Sequence, residues 1–547
     1  MPVDGAAGGV GVVVIGNGPV GQTTALLLAR RGVPVALLDA RPARDLTGSR
    51  SICQQRDVLD VWDSVGAGRR IAAEGVTWTT ARTFHRDREL FALTLGGRGR
   101  SAFPPFVNLS QARTEQILDE RVAASPLIDV RWDHRVTGLD QDADGVTVTC
   151  DGGRSLRAPY AVLCAGAHGG PLREALGVEF TGHSFDDRFL ICDIRADLPG
   201  WATERRFYFD PAWNPGRQVL IHPCPDGTYR VDWQVPADFD LAAEEASGAL
   251  DARVRAIVGD RPHEVVWRSV YRFQSRVASR MRVGRVLLAG DCAHLMAPFG
   301  ARGLNSGVAD AENAAWKLAF VLDGRAGEGL LESYHAERHA AALENLAVTT
   351  ATMDFLVPHT DEQRRHRRDV LARAADDPDA RALVDSGRLY EPFWYADSPL
   401  TTPDPDRPFA GRPPRGATPP PGPGVLLPDV PVRAGGATRL RELARDGFLL
   451  LVAGDGDPVP VTAADSGGVP VRTHRISEID ATGELAATLA VRSGEIWMVR
   501  PDAHIAAVLP NPDRTRLVRA LRRALGDPEP TEPARKGDDD GVLPARR

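Results

Sequence analysis

The six residues Gly16-Asn17-Gly18-Pro19-Val20-Gly21 follow the apolar run Val10 to Ile15 and open a helical pattern, Thr23-Thr24-Ala25-Leu26-Leu27-Leu28-Ala29. A second apolar run then ends at Asp39. Strand, glycine turn, helix and strand in that order hold the chain to a βαβ unit. An acid about twenty residues beyond the glycines marks a dinucleotide site. Each glycine meets a different mechanical need. Gly16 makes the tight turn, Gly18 lets backbone approach a pyrophosphate, and Gly21 allows helix to pack on strand. Pro19 and Val20 begin the helix, whose N–H groups and partial positive charge suit an anion. Asp39, with Ala40 and Arg41 beside it, is placed to accept hydrogen bonds from a ribose. In a chain with 54 glycines the six-residue match alone says little, and the strand, helix and acid around it make it informative.

A second stretch bears on which dinucleotide. Val286-Leu287-Leu288-Ala289 reads as a buried strand and runs into Gly290-Asp291, then into Pro298-Phe299-Gly300-Ala301-Arg302-Gly303-Leu304-Asn305-Ser306-Gly307. An amphipathic helix, Asp310 to Leu322, follows. This block resembles the flavin-binding segment of the single-component aromatic-ring hydroxylases, the para-hydroxybenzoate hydroxylase class of FAD monooxygenases. Its wording is most similar to the 3-(3-hydroxyphenyl)propionate hydroxylase and phenol hydroxylase branch. The resemblance implies that Asp291 bonds the ribityl chain, that Pro298 belongs to the flavin loop, and that the backbone of Gly303, Leu304 and Asn305 faces the pyrimidine edge of the ring. It also implies that Arg50 and Gln111 line the cofactor and that the backbone of Val136 meets the adenine. A third family fingerprint is altered. After the strand Tyr160 to Cys164 the family has Asp-Gly and a polar turn with Ser, whereas this chain reads Ala165-Gly166-Ala167-His168-Gly169-Gly170 before Arg173.

The implied activity is that of an FAD-dependent monooxygenase. NADPH or NADH reduces FAD, O₂ forms a C4a-hydroperoxide, and an electron-rich aromatic substrate attacks its distal oxygen. The protein's part is to exclude water and position the ring. A base that deprotonates a phenol would assist, and His222, Tyr271 and Arg272 are the candidates because they lie in substrate-side segments. His294 and Cys292 read better as packing residues. Related outcomes of the same chemistry are epoxidation, oxidative rearrangement and decarboxylative hydroxylation; a remote alternative is a flavin-binding scaffold that does not turn over. There is only one Gly-rich dinucleotide fingerprint, which favours transient binding of the nicotinamide donor over a second dinucleotide domain.

At 547 residues the chain exceeds ordinary single-domain length. The expected fold is α/β, with a Rossmann-like FAD-binding domain, an antiparallel-sheet substrate domain and a C-terminal thioredoxin-like domain. The boundaries are 1–180 for the first FAD-binding part, with 75–105 packing beside the substrate domain, 181–274 for the substrate sheet, and 275–400 for the second FAD-binding part with its long helices. A proline-rich linker, 401–430, leads to the thioredoxin-like unit at 431–526 and a disordered tail at 527–547. That unit has no cysteine, which excludes thiol chemistry there, and neither cofactor anchor lies in it, so flavin binding is expected to survive its removal. The net charge of −7 gives no reason to expect nucleic acid or an anionic membrane, and Arg364, Arg365, Arg367 and Arg368 read as a solvated helix face. No apolar run has the length of a membrane span. The six cysteines show no metal-ligand spacing, and with no signal-like N-terminus the expected location is cytoplasmic. A homo-oligomer is possible.

Overall fold

Val12–Ile15, Val35–Leu38, Tyr160–Leu163 and Val286–Leu288 are almost wholly apolar, the composition of strands covered on both faces. In the computed structural model, which describes residues 9–48, 51–96, 101–414, 417–454 and 459–527, they pair in parallel within one six-stranded sheet. Across that sheet the order is Arg282–Val283, Val286–Leu288, Tyr160–Leu163, Val12–Ile15, Val35–Leu38 and Ile128–Arg131; the first two are antiparallel. The helices Pro19–Arg30 and Arg302–Leu322 lie side by side on it. The second begins at Arg302, eight residues before the predicted Asp310, so the flavin-loop residues are its first turn. Arg50 and the tail from 528 lie outside the described residues.

The second sheet has eight strands: His294–Leu295, His263–Ala278, Phe180–Ala196, Thr228–Val235, Gln218–Cys224, Glu204–Phe209, Thr80–His85 and Arg88–Thr94. Its pairings are antiparallel apart from Glu204–Phe209 with Thr80–His85. Side chains alternate along each strand. One face, with Cys192, Ile194, Ile221, Val231 and Trp233, packs with Leu250, Val254 and Val258 of the helix Ala249–Val258. The other carries Phe189, Phe207, Phe209 and Leu220 against Ala297 and Phe299, so it faces the cofactor portion.

Beyond the proline-rich stretch, the expected thioredoxin-like unit is a mixed sheet ordered Val471–Arg475, Phe448–Val452, Glu495–Val499, Ile505–Pro510. It is not a detachable appendage. Trp316, Phe320 and Leu330 share one apolar cluster with its Phe448, Met498 and Leu521. Arg441 reaches Asp57 at 2.6 Å, and Arg445 reaches Asp60 at 2.7 Å and Glu312 at 3.0 Å. Deeper still, Arg500 holds Glu337 at 2.5 Å and Asp502 at 2.6 Å, and Glu337 also takes Lys317 at 2.7 Å, all essentially without solvent exposure. Burial lowers the Lys317 ammonium to about 8, while Arg500 and Lys317 hold Glu337 far below the ordinary carboxylate range against the burial that would raise it. Among the described residues no helix is long and apolar enough to cross a membrane.

Candidate active site

Because the parallel strands run in register, Ile15, Leu38, Leu163 and Leu288 end at one edge of the sheet. The loops that follow them, Gly16–Gly18, Asp39–Arg41, Ala165–Gly166 and Gly290–Asp291, therefore converge, as ligand loops do outside the carboxyl ends of such strands. Gly16 and Gly21 stand where a side chain would collide with neighbouring backbone, and Gly18 does not. Gly16 has φ +108, and a Cβ there would come within 2.4 Å of the Cys164 carbonyl oxygen. A Cβ on Gly21 would sit 1.8 Å from the Gly16 oxygen. A Cβ on Gly18 would meet no atom of another segment within 4 Å, which leaves a cradle of open space at the start of the helix. That helix has no side-chain cap and no acid in its first turn, so its N–H groups are left for an anion.

Asp39 accepts from the Asn17 N–H at 2.9 Å and from Arg41 through the backbone and guanidinium, each at 2.9 Å. Burial would raise its pKa, and these bonds hold it below the ordinary value instead. Ala40 joins the two. Arg44, which the sequence reading overlooked, clamps the turn by donating to the Asn17 carbonyl at 2.5 Å and to Glu115 at 2.8 Å. Gln111 accepts from the Ser51 N–H at 3.2 Å and donates to Glu115 at 2.8 Å. Val136 begins a strand just after His134, whose N–H donates to the Asp39 carbonyl at 2.8 Å.

The two anchors meet at Val20. A Cβ on Gly290 would fall 3.0 Å from its Cγ2, and one on Gly307 would fall 2.6 Å away. Gly303 has no atom within 4 Å of where its Cβ would be, and the helix from Arg302 again has neither a side-chain cap nor an early acid. Asn305 spends its side chain internally, accepting from Gln55 N at 3.0 Å and donating to Cys53 O at 3.0 Å, which leaves its backbone for a flavin. Leu304 is half-buried and Pro298 exposed. Behind the loop, fully buried Asp310 accepts from Gly290 N at 3.0 Å, His294 at 2.7 Å and Arg338 at 2.7 Å. His294 is thus a packing residue beneath the loop. At the altered fingerprint Cys292 fills the room of a missing side chain: a Cβ on Gly169 would lie 2.2 Å from its Sγ. Open cradles at Gly18 and Gly303, uncapped helix starts and an orphaned buried Asn17 Nδ2 all fit FAD.

Over this lies the sheet face that carries Arg205, His222, Arg230 and Asp232, a grouping fixed by the pairs His222 with Arg230 and Leu220 with Asp232. His222 is 9% exposed, stands edge-on to Trp78 at 6.3 Å, and its Nδ1 has no partner. Burial, then Arg205 and Arg230, push its pKa well below 6.5, so the ring is neutral at pH 7. Asp232, also missed from sequence, has an unpartnered Oδ1 and a pKa pushed up to about 7 by burial, with Asp193 adding to the rise and Arg230 opposing it. The Arg230 charge is already met by Asp193 through two bonds of 2.8 Å. Tyr271 shares the face, through its pairing with Phe189 and that of Phe189 with Gln234, but lies about 13 Å along the strands from His222. Arg272 does not share it. It projects from the opposite face, 55% exposed, donating to the Phe185 carbonyl at 2.8 Å and pairing with Asp186 at 3.3 Å.

Comparison with known proteins places the chain in a family. Residues 9–349 match the family model described as FAD binding domain, and residues 420–528 match that described as aromatic-ring hydroxylase, C-terminal. The chain is 33% identical over 368 residues to a 3-(3-hydroxy-phenyl)propionate/3-hydroxycinnamic acid hydroxylase of Mycobacterium sp. (strain KMS), a match spanning 66% of this chain and 62% of that protein's length. It is 34% identical over 357 residues to the rifampicin monooxygenase of Streptomyces venezuelae, covering 63% of this chain and 71% of that protein. The crystal structure of the flavin-dependent monooxygenase PieE in complex with FAD and substrate superposes with a TM-score of 0.81 at 24% identity, covering 96% of this chain and all of that one, which shows a shared fold.

Proposed function

The chain belongs to the FAD binding domain family, and on that premise we propose that it is an FAD-dependent monooxygenase hydroxylating a phenolic ring with NAD(P)H and O₂. The observation that carries the reading is the convergence of Gly16–Gly18, Asp291 and Gly303–Asn305 at one sheet edge, beneath a sheet face bearing His222. Gly16, Gly18, Pro19, Val20 and Gly21 take the pyrophosphate, and Asp39, Arg41, Gln111 and Val136 surround the adenosine half. Asp291, Gly303, Leu304 and Asn305 take the ribityl chain and ring. Bound FAD would supply the redox chemistry, drawing two electrons from the nicotinamide and activating O₂. The overall balance is ArH + O₂ + NAD(P)H + H⁺ giving ArOH + H₂O + NAD(P)⁺.

The protein's own residues orient the ring. Neutral His222, kept from protonating by burial and by Arg205 and Arg230, is placed to hydrogen-bond the phenol hydroxyl through its unpartnered Nδ1 and so to position the ring. Trp78 and Phe106, stacked at 5.6 Å, help to wall the His222 end of the face and keep water out. The test is turnover of 3-(3-hydroxyphenyl)propionate and simpler phenols under ¹⁸O₂. The expected product is one oxygen heavier, with the label taken from O₂; label from H₂¹⁸O would exclude the reading.

A further inference from the structure

Helix Asp361–Arg373 carries Arg364, Arg367 and Arg368 at i, i+3 and i+4, one face of the helix. On that face Arg364 and Arg368 are exposed, as the sequence suggests for a solvated face, and only Arg367 is half-buried; the face nonetheless borders a cleft. The cleft is a cavity of about 780 Å³, whose opposite walls are the turn at Asp210–Arg217, the strand bulge at Asp186 and Asp187, and Gln234 at the far end of the substrate sheet from His222. Five arginines, Arg86, Arg217, Arg364, Arg367 and Arg368, and three aspartates line it; Arg364 is paired with Asp361 at 2.7 Å and Arg86 with Asp210, which leaves Arg217, Arg367 and Arg368 without a bonded carboxylate among the described residues.

The aspartates are already occupied. Asp210 pairs with Arg86 at 3.3 Å and accepts from Gly216 N at 2.5 Å, Asp187 accepts from Gln234, and Asp186 pairs with Arg272 at 3.3 Å. Two donors on the cavity walls are left without an acceptor, Nε of Arg217 and Nε of Arg367. Arg367 makes one long bond of 3.5 Å, to Gln218, and otherwise lies over the Phe209 ring at 5.6 Å. A guanidinium withdrawn from water with no bonded carboxylate is costly; burial lowers the Arg367 pKa, and Asp210 nearby only partly opposes it. The histidines on the wall are His85, whose pKa burial and Arg86 depress, and His359.

We propose that this cavity is a binding site for phosphate groups, of the kind a nicotinamide dinucleotide carries. Guanidinium forks match phosphate oxygens in pairs, and the volume lies within the range of small-ligand sites. The site is apart from the pyrophosphate cradle at Gly18 but connected to the flavin loop: Gln234 stands opposite Phe189, which meets Phe299 at 5.3 Å, next to Gly300. Identifying the ligand as the electron donor rests on the monooxygenase reading, whereas phosphate binding does not.

The test is isothermal titration of the FAD-loaded full chain with inorganic pyrophosphate, then with NADP⁺ in the presence and absence of pyrophosphate. Binding of both, mutual competition, and a loss of at least tenfold in Arg217→Gln/Arg367→Gln with unchanged FAD content is the expected result. Arg368→Glu, at an exposed position with no packing role, should weaken both ligands severalfold and guards against a folding artefact. Pyrophosphate binding without NADP⁺ competition keeps the phosphate site and removes the donor as its occupant. Absence of pyrophosphate binding, or equal affinity in the wild type and all variants, overturns the proposal.

Discussion

Gly18 and Gly21 stand three residues apart and resist substitution for opposite reasons. A side chain on Gly21 strikes the Gly16 carbonyl, whereas one on Gly18 enters open space reserved for pyrophosphate. Gly18→Val should therefore fold with a near-native melting temperature yet emerge colourless, its FAD affinity reduced by at least about 100-fold on the scale of a few kcal/mol; absorbance at purification and a thermal melt check both halves. Asp232 carries a pH signature. Its folded pKa of about 7 lies above its ordinary value of 3.8, so the unfolded chain ionises first and stability is lost as pH rises from about 4 through 7. Asp232→Asn removes that loss, and urea denaturation should show it more stable than wild type by about 1–3 kcal/mol at pH 8, with the gain shrinking toward pH 4.

Helix Arg302–Leu322 shows how an element reconciles two demands: its first turn stays uncapped for the cofactor, while Asp310 inside it ties Gly290, His294 and Arg338 together. Asp310→Leu would leave the buried Arg338 charge without its carboxylate, and an equilibrium melt of the FAD-free protein should record a loss of about 3–5 kcal/mol. The glycine turn was legible in the sequence because its constraints are local: backbone sterics and one helix start. The start of this second helix was not, because Gly303 and Gly307 depress helix propensity and only the packing of Val20 against Gly307 and Gly290 overrides it. Arg272 was misplaced for a related reason. The face a strand residue occupies depends on register, and Phe180–Ala196 shifts register against His263–Ala278 between Ser184 and Arg188. Arg364, Arg367 and Arg368 had a readable helical spacing, but nothing local to say that strand-end turns of the substrate sheet faced them.

The whole molecule is held by charges that sequence distance conceals, since Glu337 and Arg500 lie 163 residues apart. Truncation after the proline-rich stretch would bare Trp316, Phe320 and Leu330 and strip Glu337, Asp57, Asp60 and Glu312 of their arginines. The truncated chain should aggregate or melt at least about 10 °C lower than the full chain, by size-exclusion chromatography and calorimetry, even where the flavin anchors, which lie outside the unit, still bind FAD. Arg500→Met in the intact chain should destabilise it by about 3–5 kcal/mol, and Arg500→Lys by less. The Glu337–Arg500 contact also sets an order in time. A ribosome adds about 5–20 residues per second, so a nascent chain that has finished its nucleotide-binding strands and its long helix waits on the order of ten to thirty seconds before Arg500 exists to join Lys317 at the interior carboxylate of Glu337. During that interval the half-made protein holds a bare apolar wall beside a carboxylate met by Lys317 alone, which makes the C-terminal unit the one that commits the earlier segments to their final form.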